Sequence, residues 1–359
     1  MSMSTSHILV VAPNWVGDVV MATPAFRSLR AAFGDARIAV AVRKNARPVL
    51  DDAPWFDEVI EVSPQEQGIF GTLGLSARLR RQGFDLGVLF TNSFRTALVA
   101  RLGRVRHIVG YSREMRGFLL SQSVEPRRKD GKFVPASMVD YYLELCRRLG
   151  ASVSDRRLEL FYREEVARRL DEFSLRRGID WTRRVVVMNP GASFGLSKCW
   201  PVKHFAQTAE ALSEEKDIQV VVICGPGECA LAQAVARQAK CAVVSLHEEP
   251  AGLDLLKPLI HRASLLITND TGPRHYAAAF DTPVVTVFGA TDPRWSDTGF
   301  EKETIVRVDV ECSPCQLRTC PVDHRCMTWV KPEMVVETAR TLMSRFPKRK
   351  QGRGRAEHS

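Results

Sequence analysis

Several short polar turns, each following an apolar run, carry the groups most able to do chemistry. The run Ser264–Ile267 leads into Thr268-Asn269-Asp270-Thr271-Gly272-Pro273-Arg274-His275, and an alanine-rich helix signal follows. That layout aims backbone N–H groups and the positive end of a helix dipole at one point, which suits a phosphate. Thr271 and Gly272 would supply the N–H groups, flanked by Asp270 and His275. His275 reads equally as a phosphate or sugar contact and as a satisfied helix histidine. A second turn, Asn189-Pro190-Gly191-Ala192-Ser193-Phe194-Gly195-Leu196-Ser197-Lys198, offers glycines that admit close backbone approach, the hydroxyls of Ser193 and Ser197, and the point charge of Lys198. A diphosphate would use them together; a solvated loop is the alternative. Near the start, Asn14-Trp15-Val16-Gly17-Asp18 sets a carboxylate at the mouth of a strand–helix unit. Asp18 could take a proton from a sugar hydroxyl, or merely favour the helix start through the dipole. Gly289-Ala290-Thr291-Asp292-Pro293-Arg294-Trp295 is a further polar turn straight after a strand signal.

A separate constellation is Cys312, Cys315, Cys320 and Cys326, spaced C-x2-C-x4-C-x5-C with His324 close by. Four sulfurs so close could hold a structural zinc or an iron–sulfur cluster. The first pair has zinc-finger spacing; the later gaps fit neither a standard finger nor a ferredoxin run. Disulfides, or reduced thiols packing a loop, are the other readings, and nothing in the segment demands catalysis.

The elements that must position these groups alternate. Strand signals at 7–12, 37–42, 58–62 and 85–90 are separated by helix signals at 17–33 and 75–82. The rhythm restarts with strands at 184–188, 218–223, 264–267 and 283–288, and with helices at 202–215 and 228–239. Strand–helix alternation predicts an α/β fold with two Rossmann-like, doubly wound parallel sheets. Ligands of such sheets sit beyond the carboxyl ends of the strands, so a cleft between two sheets could hold a donor and an acceptor. The expected division is residues 1–175 and 176–346, with a disordered basic tail at 347–359. A last helix near 331–346 could pack back on the first domain.

Composition bounds the classes. The chain has 359 residues, 45% hydrophobic and 26% charged, with a formal net charge of +10. No apolar run approaches the roughly 18 residues that span a bilayer, and no secretory signal is evident, so a cytoplasmic protein is expected. Residues 76–132 hold 13 Lys or Arg against 4 Asp or Glu, which favours an anionic, phosphate-rich partner. Nucleic acid is disfavoured, because the basic residues lack the interleaved aromatics of a stacking platform. A nucleotide-dependent oxidoreductase is the rival enzyme class. The turn after the first strand lacks Gly-x-Gly-x-x-Gly, and only Gly225-Pro226-Gly227, with Ala230 in the third place, matches part of it.

Taken in order, NWVGDVVMATP, NPGASFGLSKCWP, TNDTGPRHYAAA, FGATDPRW and CSPCQLRTCPVDHRCM resemble the lipopolysaccharide heptosyltransferases, glycosyltransferase family 9, over about residues 7–345. The Trp15-containing start and the cysteine segment resemble the second heptosyltransferase of the inner core more than the first. The resemblance implies a GT-B architecture, with the acceptor at the N-terminal domain and the donor in the C-terminal one. It implies an inverting transfer of L-glycero-D-manno-heptose from ADP-heptose to a heptosyl-Kdo-lipid A acceptor, without a required cofactor or a catalytic metal. By motif, Asp18 becomes the general base and Asn14 and Trp15 touch the acceptor. Lys198, Ser193, Thr271, Gly272 and His275 hold the ADP-sugar, while Asp270 and Glu228 reach heptose or ribose hydroxyls. The enzyme would visit the cytoplasmic face of the inner membrane without spanning it.

Overall fold

The computed structural model describes residues 5–66 and 68–348. The chain divides into two compact units, 1–159 with 294–298, and 160–293 with 299–359. Each is built on a six-stranded sheet in which every pairing is parallel.

In the first unit the strands are β1 (His7–Val11), β2 (Arg37–Arg43), β3 (Glu58–Val62), β4 (Leu86–Leu89), β5 (His107–Tyr111) and β6 (Gln122–Val124), in the order β3-β2-β1-β4-β5-β6. A small antiparallel hairpin, β7 (Arg128–Lys129) and β8 (Lys132–Phe133), follows β6. In the second unit β9 (Arg184–Asn189), β10 (Ile218–Val222), β11 (Val243–Ser245), β12 (Leu265–Asn269), β13 (Val284–Val287) and β14 (Glu303–Val306) repeat the same winding as β11-β10-β9-β12-β13-β14. The order reverses direction beside the first strand of each sheet, between β1 and β4 and between β9 and β12. Such switch points leave a crevice at the carboxyl ends of the strands, where open α/β sheets bind ligands.

The central strands are apolar runs because helices cover both faces of a parallel sheet. Every residue of β4, β12 and β13 is buried. Leu9, Ala39, Ile60, Leu79 and Phe84 belong to one core; Val186, Met188, Trp200, Phe205 and Leu265 belong to the other.

Several expectations need correction. The boundary falls after Glu159, not after 175, because the helix Glu164–Arg177 packs with the helix Leu253–Arg262 in the second unit. The final helix, Pro332–Arg345, belongs to the second unit, where Val335, Ala339, Leu342 and Met343 join the core of Val186 and Trp200. Lys348, placed in the expected tail, donates to the carbonyls of His261 and Ala263, the latter at 2.9 Å. The rest of that tail, 349–359, lies outside the described residues. The helix expected at 17–33 is two helices, Val16–Met21 and Thr23–Ala32, with Pro24 in the first turn of the second. The helix expected from Leu75 starts at Gly68. Its glycines hid the first turns, yet one of them is required there: a Cβ on Gly71 would lie 2.2 Å from the Glu66 carbonyl carbon.

Candidate active site

In the second unit, four of the expected turns leave the carboxyl ends of β9, β10, β12 and β13. The two at the switch point are locked by paired asparagines. Asn189 Nδ2 donates to Thr268 Oγ1 (3.1 Å), and Asn269 Nδ2 donates to the Pro190 carbonyl (2.8 Å). Asn269 Oδ1 also accepts from the Trp200 amide (3.0 Å), which holds the end of the lysine-bearing turn.

That lock brings Lys198 onto Asp270. Lys198 Nζ donates to Asp270 Oδ2 (2.5 Å) and to the Asp270 carbonyl (3.2 Å). Thr291 Oγ1 donates to the same carboxylate oxygen (2.8 Å), and Arg274 NH1 lies 3.4 Å from Oδ1. Arg274 in turn grips Glu303 with two bonds, Nε to Oε1 (2.5 Å) and NH2 to Oε2 (2.9 Å). Burial alone would raise the Asp270 pKa, but the cations Lys198 and Arg274 draw it down to about 2. Asp270 is therefore a buried carboxylate engaged by Lys198, Arg274 and Thr291.

Beside this pair, Thr271 caps the helix Gly272–Ala279 without using its own side chain. Pro273 has no N–H; Thr271 and Gly272 carry the two amides that directly follow Asp270 in the chain. His275, on the same helix, is buried, and its Nδ1 has no hydrogen-bond partner among the described residues. Burial and the neighbouring Arg274 push its pKa down to about 3, so it is neutral and sits inside the unit. That placement does not favour direct contact with a phosphate. Ser193 is exposed on its turn. Glu228 stands between two turns: its Oε2 accepts from the Gly225 amide (3.2 Å), and a Cβ on Gly191 would lie 2.1 Å from the same oxygen.

The cysteine segment braces these turns from behind. Ser197 Oγ donates to the Leu317 carbonyl (2.5 Å), the Ser197 amide donates to the Arg318 carbonyl (3.2 Å), and His324 Nε2 donates to the Ser197 carbonyl (2.8 Å). The Gln316 amide donates to the Ala290 carbonyl (2.8 Å), and Ser313 Oγ donates to the Gly289 carbonyl (2.7 Å). Gly195 is required at the crossing, since a Cβ there would lie 2.4 Å from the Arg318 carbonyl oxygen. Cys312, Cys315, Cys320 and Cys326 are free thiols lining a cavity of about 100 Å³ with Ser197 and His324. Among the described residues, no group of three or more His, Cys, Asp or Glu side chains is arranged to hold a metal ion. The expectation of a structural zinc thus finds no support, and the segment works as a brace through its hydrogen bonds.

In the first unit, Asp18 lies in the first turn of the helix Val16–Met21, which leaves β1 at the switch point. The buried Tyr142 hydroxyl hydrogen-bonds its carboxylate. Asn14 is half-buried and Trp15 is 52% exposed on the preceding turn. Across the switch point, Asn92 follows β4 and accepts from the Tyr141 hydroxyl (2.9 Å). Arg116 is fully buried, donating from Nε to the Tyr111 carbonyl (2.9 Å) and from NH1 to the Ser93 carbonyl (3.3 Å). The sequence reading missed Tyr142, Asn92 and Arg116 because they come from elements far along the chain. Arg274 stood inside a recognised turn, but its partner Glu303 lies on an edge strand with no motif.

Residues 72–325 match the family described as glycosyltransferase family 9 (heptosyltransferase). The chain belongs to glycosyltransferase family 9. It is 30% identical to lipopolysaccharide heptosyltransferase 2 of Escherichia coli, covering 84% of this chain and 88% of that one. It is 27% identical to lipooligosaccharide heptosyltransferase 2 of Campylobacter jejuni, covering 94% and 98% respectively. Among solved structures, the E. coli ADP-heptose LPS heptosyltransferase II superposes with a TM-score of 0.77 at 26% identity, over 94% of this chain and 99% of that one. A family 9 glycosyltransferase from Veillonella parvula gives a TM-score of 0.82 at 22% identity, covering 96% and 99%, which speaks to the fold. This family 9 protein is a glycosyltransferase, and its two Rossmann-like units are those of the GT-B architecture expected from sequence.

Proposed function

We propose that this protein transfers L-glycero-D-manno-heptose from ADP-heptose to the heptosyl-Kdo-lipid A inner core of lipopolysaccharide. The observation that carries the reading is Lys198, held by Asp270 at the switch point of the second sheet beside the helix-start amides of Thr271 and Gly272. A leaving diphosphate needs fixed positive potential, and a lysine with two such amides supplies it without reorganising. The relatives named heptosyltransferase 2 support heptose as the sugar.

Asp18 is the proposed general base. As a carboxylate it takes the proton from the acceptor hydroxyl while that oxygen attacks the anomeric carbon and ADP departs from the opposite face. The carbon acquires oxocarbenium character on the way, as in glycoside hydrolysis, and the configuration inverts. Tyr142 orients the carboxylate through its hydroxyl. Asp270 is assigned to positioning Lys198, and Ser193 and Glu228 to the diphosphate and to a ribose or heptose hydroxyl. Asn14 and Trp15 are assigned to the acceptor. The acceptor is lipid-borne, so the enzyme works at the cytoplasmic surface of a membrane; no helix among the described residues is long and apolar enough to cross one.

The test is mass spectrometry of a deacylated, water-soluble inner-core acceptor incubated with ADP-heptose and enzyme. A product heavier by one heptosyl residue, formed only with enzyme, is the expected result. No mass gain with ADP-heptose, but transfer from another nucleotide sugar, would overturn the assignment of the sugar.

A further inference from the structure

The helix Gly68–Gln82 has two unlike sides. It buries Thr72, Leu75, Ser76 and Leu79. At 100° per residue these occupy one arc; Ile69 flanks its edge, and Leu73 and Phe70 follow round the helix toward the opposite side. Those three are not tucked away: Ile69 is 78% exposed, Phe70 89% and Leu73 53%. The same exposed arc continues through Ala77 to the exposed Arg80 and Arg81. Such a water-facing side, apolar in its first turns and cationic in its last, offers apolar side chains that a membrane interface can bury and cations that anionic headgroups attract.

The topology extends this face. In a parallel sheet the helix after each strand begins at the carboxyl edge of that sheet. Ile69 and Phe70 therefore stand at the carboxyl edge beyond β3. Phe94 begins the helix beyond β4, and Met115 and Phe118 lie in the turn beyond β5. Arg95 Nε donates to Thr72 Oγ1 (3.0 Å), which ties the start of the second helix to the first. The rings of Phe94 and Phe118 are 6.1 Å apart, and Phe118 and Met115 are 75% and 89% exposed. Beyond β6, the hairpin β7–β8 presents the exposed cations Arg127, Arg128 and Lys129. It docks beside the same turn, with the Arg113 guanidinium 4.1 Å from the Phe133 ring centre.

We propose that this edge of the first unit is a docking surface for an anionic lipid bilayer. Exposed aliphatic and aromatic side chains enter the interface, and the basic hairpin and the Arg80–Arg81 pair meet the headgroup charge. Charge complementarity selects this occupant over a second copy of the chain, because the rim is cationic and a like-charged rim would face it across a dimer. The proposal rests on the reading that the acceptor is lipid-borne. Asp18 sits at this same carboxyl edge, beyond β1, so a sugar rising from the bilayer meets the base without leaving the membrane surface.

The experiment is co-sedimentation of the full chain with vesicles of phosphatidylcholine alone or mixed with phosphatidylglycerol. The wild type is expected to sediment with the mixed vesicles and to bind pure phosphatidylcholine far more weakly. The triple variant Ile69→Ser, Phe70→Ser, Leu73→Ser is expected to lose affinity for mixed vesicles by about tenfold or more. The variant Arg127→Gln, Arg128→Gln, Lys129→Gln is expected to lose on the order of a hundredfold, about fivefold per basic group. Both variants are expected to keep wild-type transfer to the deacylated acceptor, which shows that they fold. Wild type that stays in the supernatant with every vesicle, or variants that sediment as well as wild type, would overturn the proposal. So would a wild-type dimer that the serine variant dissociates with vesicle binding unchanged. Vesicle binding needs no donor sugar, so its failure is separate from any failure of the transferase reading.

Discussion

Lys198 and Asp270 lie 72 residues apart in sequence, yet Nζ and Oδ2 are 2.5 Å apart at the reversal of the second sheet. The side chains of both are largely withdrawn from water, 14% and 9% exposed. Removing one partner of such a pair leaves an uncompensated charge. Asp270→Asn keeps the volume but leaves Lys198 and Arg274 without their shared anion. A stability loss of roughly 3–5 kcal/mol is expected in denaturant unfolding. Lys198→Ala is expected to weaken ADP binding by about tenfold, the worth of a charge-assisted bond. Calorimetric titration with ADP checks this, and unchanged affinity would remove Lys198 from the diphosphate site.

Asp18 tests the chemistry rather than the binding. Asp18→Asn removes the base and little else, so turnover is expected to fall on the order of 10²–10⁴-fold while ADP affinity stays the same. Near-normal turnover would reject Asp18 as the base. Tyr142→Phe removes the hydroxyl that orients the carboxylate. It is expected to lower kcat while leaving the KM for ADP-heptose unchanged.

The pH dependence of stability carries the mark of His275. Its folded pKa, about 3, is depressed by burial and Arg274, below an unfolded value of roughly 6.5. The unfolded chain therefore binds a proton that the folded chain refuses. The stability tied to this group is full above pH ~6.5 and is lost as pH falls toward ~3. By pH ~5.5 the loss from His275 is about 1.4 kcal/mol. Asp270, with its folded pKa near 2, acts in a lower window, its contribution lost between pH ~4 and ~2. Denaturant midpoints of wild type and His275→Gln between pH 8 and 5 check the first window. Equal slopes in the two proteins would show that His275 is not buried as a neutral ring.

Much of this architecture is legible in the residues themselves. The apolar runs of β1, β2, β9, β10, β12 and β13 are visible because a doubly covered parallel strand tolerates few polar residues. The turns that hold Asp18, Lys198 and Asp270 are visible because their polar residues interrupt those runs. Of the edge strands, β3 shows by its alternation, but β11 and β14 do not: β11 is three residues and half-buried, and β14 carries Glu303. Roles are less legible than positions. Asp270 looks like a sugar ligand in a turn motif, and only the approach of Lys198, Arg274 and Thr291 reveals a carboxylate already engaged. His275 reads equally as a phosphate or sugar contact and as a satisfied helix histidine, and its burial is not visible in the sequence. Gly71 and Gly74 resemble helix breakers, and the exposed apolar turns of that helix stay hidden with them.

The brace formed by residues 313–324 has a consequence for biosynthesis. Lys198 and Thr291 leave the ribosome before the residues at 313–324 that fasten their turns. The helix that closes this core, Pro332–Arg345, emerges later still. A nascent chain halted near residue 300 would hold the asparagine lock and the Lys198–Asp270 pair but not the bonds that fasten Ser197 and Gly289 to residues 313–324. The turn that carries Lys198 is therefore fastened at its Pro190 and Trp200 ends, but not at Ser197, until the last part of the chain has been made.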